Sequence, residues 1–290
     1  MKFLITGANG MLAREIINKF SCDNEVIATD INELDITNEE EVFAFINKAK
    51  PQYIINCAAF TDVDKSEVCY DLAYKVNCVG ARNLAKTADK YNATLIHIST
   101  DYVFKGDLDI LKEYSEEDIK EPKNAYGITK LQGEQEIEKN TKQYYIFRTA
   151  WLYGEGKNNF VNDITKLGLT NDEIKVVGDQ YGSPTYTKDL ADIIYQAIIK
   201  KIPYGVYHAT NMGYTTRYDF AKMILEKQNI KCDIISITTA DYEKINKKNL
   251  AKRPLNTKLS KNKLLKQDIV IPAWEDGLER YLEDTKSKGI

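Results

Sequence analysis

Histidine is almost missing from this chain of 290 residues: there are two, His97 and His208. So few leave no material for a histidine-rich metal site or a serine–histidine triad. Both fall in apolar runs, "TLIHIST" and "GVYHAT", and read as core or sheet-edge side chains. The five cysteines (Cys22, Cys57, Cys69, Cys78, Cys232) have no C-x-x-C spacing. They read as free thiols used in packing, in a reducing cytoplasm, not as a disulfide framework. No stretch approaches the ~18 apolar residues of a membrane span. The opening "MKFLIT" breaks at Thr6-Gly7, too early for a secretory segment. Positive charge is not in excess either: 40 Lys and Arg face 43 Asp and Glu, for a net charge of −3. Neither nucleic acid nor a membrane surface is therefore an expected partner. The expected partner is a small molecule.

What is present is an alternation. "KFLIT", "EVIAT", "YIIN", "TLIHIS" and "YYIFRT" read as buried strands. Between them lie helical patterns over about 11–20, 38–49, 66–90 and 125–140. Near-continuous apolar strands alternating with helices predict an α/β protein with a doubly wound (Rossmann) parallel sheet. The regularity fades after Gly154, at the Gly/Asn-rich "YGEGKNN". "YGVYHAT" reads as a strand that returns to the sheet, and the Lys-rich tail from Asn211 reads as most of a smaller α/β domain. The expected division is 1–153 plus about 184–210 for a dinucleotide-binding domain, and about 154–183 plus 211–290 for a substrate domain. The run "EKINKKNLAKR" reads as a solvated face or loop.

The first strand runs into "ITGANGMLAREI", with Gly7, Gly10 and Ala13 in a G-x-x-G-x-x-A pattern. Gly7 permits a sharp exit from the strand. Gly10 lets the backbone approach a ligand at a helix N-terminus, where free N–H groups and the helix dipole favour a pyrophosphate. The second strand ends at Asp30, placed to bond an adenosine ribose 2′-hydroxyl and to repel a 2′-phosphate. NADH is thus the preferred cofactor, with NADPH tolerated and Arg14 available to soften the preference. Asp35 and Ile36 are placed to flank the adenine.

"NAYGITKLQGE" sets Tyr126 and Lys130 one helical turn apart, so that their side chains share a face. An ammonium beside a phenol favours the phenolate, which would make Tyr126 a usable acid at neutral pH. Upstream, "HISTDYVF" puts Ser99 and Thr100 at the end of the fourth strand, where a hydroxyl can hold a substrate carbonyl.

Taken in order, "TGANGML", "NCAAFTDVD", "STDYVF" and "YGITK" resemble the extended short-chain dehydrogenase/reductases, over essentially the whole chain. "RTAWLYG", "DQYGSPTYTKDLA" and "RPLNTKLS" are similar to the branch that reduces the 4-keto group of dTDP-4-dehydro-L-rhamnose to give dTDP-L-rhamnose. The resemblance implies catalytic roles for Thr100, Tyr126 and Lys130. It implies cofactor contacts at Gly10, Met11, Leu12, Asp30, Asp35 and Ile36, at Ala59, Phe60 and Thr61, and at Tyr126 and Lys130, with Gly7 making the turn. It implies a sugar-nucleotide lining of Val63, Thr100, Asp101, Tyr102 and Trp151. Trp151 reads equally well as core packing, and Asn77 as structural. Some relatives pair through acidic residues and a divalent cation; no match is evident here, so no metal is expected and a homodimer remains open.

Dehydratases of this family resemble one another in an Asp-Glu pair after the catalytic threonine. Here that pair is Asp101-Tyr102, so one proton-transfer group needed for elimination is missing and simple reduction is favoured. Two alternatives stay open: a reductase or epimerase of another nucleotide-linked sugar, and a non-catalytic regulatory subunit resembling the methionine adenosyltransferase beta subunit.

Overall fold

The computed structural model describes residues 1–156, 159–246 and 251–287. Parts of "YGEGKNN" and of "EKINKKNLAKR" lie outside them. The N-terminal half runs β1 (Lys2–Thr6), α1 (Met11–Phe20), β2 (Glu25–Thr29), α2 (Glu39–Ala49), β3 (Tyr53–Asn56), α3 (Val63–Val68), α4 (Tyr70–Tyr74), α5 (Gly80–Lys90), β4 (Thr94–Thr100), α6 (Ala125–Asn140) and β5 (Tyr144–Thr149). It continues through β6 (Leu152–Tyr153), α7 (Phe160–Thr170), β7 (Glu173–Val177), β8 (Tyr181–Gly182), β9 (Thr185–Tyr186), α8 (Thr187–Ile199), β10 (Gly205–His208), β11 (Thr215–Thr216), α9 (Arg217–Lys227) and β12 (Asp233–Ile237). Three helices close the chain: α10 (Thr239–Ile245), α11 (Asn262–Leu265) and α12 (Trp274–Ser287).

Six strands form one parallel sheet in the order β10-β5-β4-β3-β1-β2. The chain leaves β1 toward β2 on one side and returns to β3 on the other. This reversal opens a crevice above the carboxyl ends of the strands. Side chains alternate between the two faces. Phe3 and Ile5 pack with Ile16 and Phe20 of α1 and with Leu190 and Ile194 of α8. Leu4 and Ile54 face the other way, onto Val42, Ile46, Leu84 and Ile137 of α2, α5 and α6. A third apolar cluster joins Tyr153, Val161, Ile164, Phe220, Ile224, Trp274 and Leu278.

Local sequence explains the helix starts. The Asn38 side chain accepts from Glu41 N at 3.2 Å, ahead of a first turn that holds Glu39, Glu40 and Glu41. Asn124 does the same for α6, accepting from Gly127 N at 2.8 Å. The single helix expected over 66–90 is instead broken. It splits at Cys69 and widens into a π-helical turn over Lys75–Val79. The cause is a crossing: a Cβ on Gly133 of α6 would lie 2.2 Å from the Asn77 carbonyl oxygen. The π turn carries Asn77 into that contact and frees its side chain for other bonds.

The five cysteines are free, but not all are packing residues. Cys78 is buried, whereas Cys22 and Cys69 are exposed. His97 and His208 are both buried. Among the described residues no helix is long and apolar enough to cross a membrane. Among the same residues, no three His, Cys, Asp or Glu side chains gather as metal ligands.

Candidate active site

A cleft of about 730 Å³ opens above the strand ends, and every site residue singled out from the sequence lines it. At one end lies the glycine loop. Gly7 has φ +69°, and a Cβ there would meet the Ala58 backbone at 2.7 Å. Only glycine fits, and the loop therefore lies directly on the β3 exit. Gly10 opens α1 without a side-chain cap, so the N–H groups of the first turn remain for a ligand. This cradle fits a pyrophosphate. Asp30 is held at its rim: Oδ2 accepts from Asn9 N at 2.9 Å and Oδ1 from Ile31 N at 2.8 Å. Asp35 accepts from Thr37 N at 2.9 Å. The Arg14 guanidinium lies beside Gly156, where a Cβ would be 2.9 Å from its Nη1.

The middle of the cleft is built by β4 and α6. Ser99 and Thr100 point to opposite faces, as successive strand residues must. The Ser99 hydroxyl donates to Glu134 Oε1 at 2.5 Å, and Arg148 pairs with the same carboxylate at 2.7 Å, all buried. Thr100 carries the hydroxyl of the cleft. It donates to Asp101 Oδ1 at 3.0 Å, accepts from Tyr102 N at 3.2 Å, and lies near the Tyr126 phenol. The Tyr102 ring meets Tyr126 edge to face, 5.9 Å between centroids.

The expected pairing of Lys130 with the Tyr126 phenol is not what the structure shows. Burial pushes the phenol above its ordinary value, with Asp101 adding to the rise; the nearby Thr100 hydroxyl opposes it, and Lys130 exerts no resolved pull. The lysine is engaged elsewhere: Nζ donates to Ile98 O at 2.6 Å and lies 3.1 Å from His97 Nε2. Burial lowers Lys130 to about 8. Asn77 is structural, as expected. Its Oδ1 accepts from Phe60 N at 2.9 Å, and its Nδ2 donates to Thr129 Oγ1 at 3.0 Å, fastening the β3 loop to α6.

At the far end Trp151 sits in the left-handed region at φ +46°. Its indole lies so close to Gly182 that a Cβ there would be 2.7 Å away. The Arg217 guanidinium lies over the ring, 3.8 Å from its centroid. Arg217 also lines the cleft, and no carboxylate among the described residues reaches it within ion-pair distance. Burial lowers it to about 10, with Tyr102 and Asp101 acting against the fall. Asp101 is raised by burial to about 6, although the Thr100 hydroxyl donates to its Oδ1; its Oδ2 is buried without a hydrogen-bond partner. Nearby, Arg253 pairs with Asp64 at 2.8 Å and ties the C-terminal segment to α3. The sequence reading missed Arg217. Its one local signal is Thr216, which caps α9 by accepting from Asp219 N at 3.0 Å and so turns the next residue toward the cleft mouth.

A parallel sheet with a glycine turn at its switch point, and a Thr–Tyr–Lys group on the next strand and helix, define a nucleotide-binding oxidoreductase of the extended short-chain dehydrogenase/reductase class. The chain belongs to the family described as the RmlD substrate binding domain, whose profile matches residues 1–287. It is 39% identical to a dTDP-4-dehydrorhamnose reductase of Aggregatibacter actinomycetemcomitans, over 96% of this chain and 97% of that one. It is similar to the crystal structure of a dTDP-4-dehydrorhamnose reductase from Clostridium acetobutylicum, with a TM-score of 0.94 and 43% identity over 99% of this chain and 100% of that one. A reductase of the same name from Bacillus anthracis, solved in complex with NADP, matches with a TM-score of 0.92 and 39% identity over 98% and 100% of the two chains.

Proposed function

We propose that this enzyme reduces the 4-keto group of dTDP-4-dehydro-L-rhamnose to give dTDP-L-rhamnose, with NADH preferred and NADPH accepted. The observation that carries the reading is the meeting of Thr100, Tyr126 and Lys130 in the cleft that begins at the glycine loop. A reduced nicotinamide, when bound, supplies the hydride that sugar C4 takes up. The chain supplies the rest. The Thr100 hydroxyl orients the keto oxygen, and the nearby Tyr126 phenol gives it a proton. A phenol held above its ordinary value is a reluctant acid toward water, but a strongly basic developing alkoxide can take its proton. The α1 N-terminus receives the pyrophosphate of the cofactor and Asp30 its adenosine ribose. Val63, Asp101, Tyr102 and Trp151 line the sugar side, and Arg217 offers its free charge to the diphosphate of the sugar nucleotide.

In this reading, residues 1–153 with about 184–210 bind the dinucleotide, and about 154–183 with 211–290 bind the sugar nucleotide, in the reducing cytoplasm that free thiols suit. The experiment is conversion by the pure protein. Incubation with dTDP-4-dehydro-L-rhamnose and reduced cofactor should yield dTDP-L-rhamnose, identified by chromatography and mass. Cofactor binding with no conversion of this or related 4-keto sugars would point to a regulatory protein.

A further inference from the structure

Behind the cleft lies a row of buried polar groups that the proposed reaction does not use. Register across three strands sets it: Thr6 of β1 pairs with Asn56 of β3, and Asn56 with His97 of β4. Lys130 reaches the end of the row from α6. All four residues are about 1% exposed. The Thr6 hydroxyl donates to Asn56 Oδ1 at 2.8 Å, Asn56 Nδ2 lies 3.0 Å from His97 Nδ1, and His97 Nε2 lies 3.1 Å from Lys130 Nζ.

The directions of these bonds follow from one backbone group. Ala58 N–H donates to Asn56 Oδ1 at 3.1 Å, and an N–H cannot reverse its role. The carboxamide is therefore oriented, with its NH₂ facing His97. An NH₂ donates, so His97 Nδ1 must accept and carries no proton. The ring is neutral, since burial holds its pKa well below the usual value. A neutral imidazole has one N–H, which must then be on Nε2, aimed at Lys130. An ammonium has three N–H donors and no acceptor. Placed there it would set hydrogen against hydrogen. A neutral amine fits: its lone pair accepts from His97 Nε2, and one of its N–H groups serves Ile98 O.

We propose that His97 is a positioning residue for Lys130: oriented by Asn56, it donates from Nε2 to the lysine and favours the neutral amine in the ligand-free protein. This inference rests on the proposed reductase reading only for its relevance to turnover. The other groups around Lys130 do not compensate. Cys57, at the β3 exit, is pushed by burial to about 12 and stays a thiol. Tyr126, one turn back on α6, stays a phenol. Glu134, one turn on, acts against the fall at Lys130, but its oxygens are engaged by Arg148 and Ser99. The lowering of Lys130 to about 8 by burial acts in the same direction. Gaining a proton at Lys130 then asks His97 to move its own to Nδ1 and Asn56 to turn over, breaking the Ala58 bond. Ala58 lines the cleft, so the charge on the lysine is tied to the shape of the β3 loop.

The test is ¹⁵N NMR of the ligand-free full chain, reading the two ring nitrogens of each histidine. With two histidines in the chain, loss of one signal set in His97→Gln assigns the other. The wild type should show a protonated Nε2 and a bare Nδ1 at His97; a protonated Nδ1 overturns the proposal. Asn56→Asp puts a carboxylate acceptor at Nδ1 and should reverse the tautomer. The Lys130 titration, followed by ¹³C at Cε, should then rise by about one pH unit or more. His97→Gln, whose carbonyl can accept from an ammonium, should raise it too. A Lys130 midpoint unmoved in His97→Gln contradicts the proposal even if Asn56→Asp does not fold. None of these readings needs substrate, so a protein that fails to reduce the sugar leaves them standing, and the reverse also holds.

Discussion

Tyr126 and Lys130 stand one turn apart on α6, yet their polar ends serve different partners. The phenol lies near the Thr100 hydroxyl, while the lysine nitrogen donates to the Ile98 carbonyl at 2.6 Å. The acid and the lysine of the site therefore have separate neighbours, both on β4. It follows that Tyr126 depends on its neighbours for position and on the substrate alkoxide for a reason to give up its proton.

Removing the phenol should cost rate and leave binding intact. Tyr126→Phe keeps the ring against Tyr102 and loses the acid. General acid catalysis is worth about 100- to 10,000-fold, and kcat should fall within that range while the cofactor dissociation constant stays within about twofold. Single-turnover kinetics and fluorescence titration check the two halves. A variant that keeps near-wild-type rates in the chemical step contradicts the role given to Tyr126.

Asp30 should set cofactor choice. Its carboxylate is fixed by Asn9 N and Ile31 N at the cleft rim. Asp30→Ala removes both the ribose acceptor and the repulsion of a 2′-phosphate. The ratio of kcat/KM for NADH over NADPH should fall by about tenfold or more, the value of one or two hydrogen bonds to a charged group. A wild type that favours NADPH tenfold would sink this assignment.

Asp101 should make stability depend on pH. Burial raises its carboxyl from 3.8 to about 6, so the folded state holds the proton more tightly than the unfolded chain. Stability from this group is then greatest below pH 4, declines between about 4 and 6, and stays reduced above. Asp101→Asn removes the charge. It should raise the stability at pH 7.5 by about 1–3 kcal/mol, seen as a higher melting temperature, and leave it nearly unchanged at the acid end of that window. Scanning calorimetry at both pH values decides, and equal melting temperatures of variant and wild type at pH 7.5 would contradict the cost assigned to the buried carboxylate.

Arg217 should act on substrate affinity. Arg217→Met keeps an apolar stem over Trp151 and removes the guanidinium. KM for the sugar nucleotide should rise about 10- to 100-fold with kcat little changed, as expected for loss of charged hydrogen bonds made equally in ground and transition states. The cofactor KM serves as the control. An unchanged sugar-nucleotide KM would remove Arg217 from the diphosphate site.

Much of this was legible in the sequence, for physical reasons. Strands buried on both faces, such as "KFLIT" and "YYIFRT", have no polar side to blur their limits, and they fall at Lys2–Thr6 and Tyr144–Thr149 as read. Helices with an asparagine cap, such as Ala125–Asn140, start where the cap dictates. The break at Cys69 and the π turn over Lys75–Val79 were not legible, because their cause is the approach of Gly133 from another helix. Arg217 was hidden for a similar reason, since its partner Trp151 is adjacent only in the fold. His97 was read as a core residue, and it is buried; that its second nitrogen faces Lys130 depends on strand register and the angle of α6. The phenol was read too simply. Spacing puts Lys130 on the right face of the helix, but the Ile98 carbonyl decides where its nitrogen goes, and burial decides the direction of the phenol's shift.

The central claim is that hydride leaves the cofactor for sugar C4 and does not return within the cycle. The direct measurement is stoichiometry: pure protein, dTDP-4-dehydro-L-rhamnose and NADH, with cofactor loss read at its absorbance band and dTDP-L-rhamnose counted in the same sample. The account predicts one cofactor oxidised for each product formed. Conversion of the sugar with no net loss of NADH would contradict it and place the chain among enzymes that regenerate their cofactor.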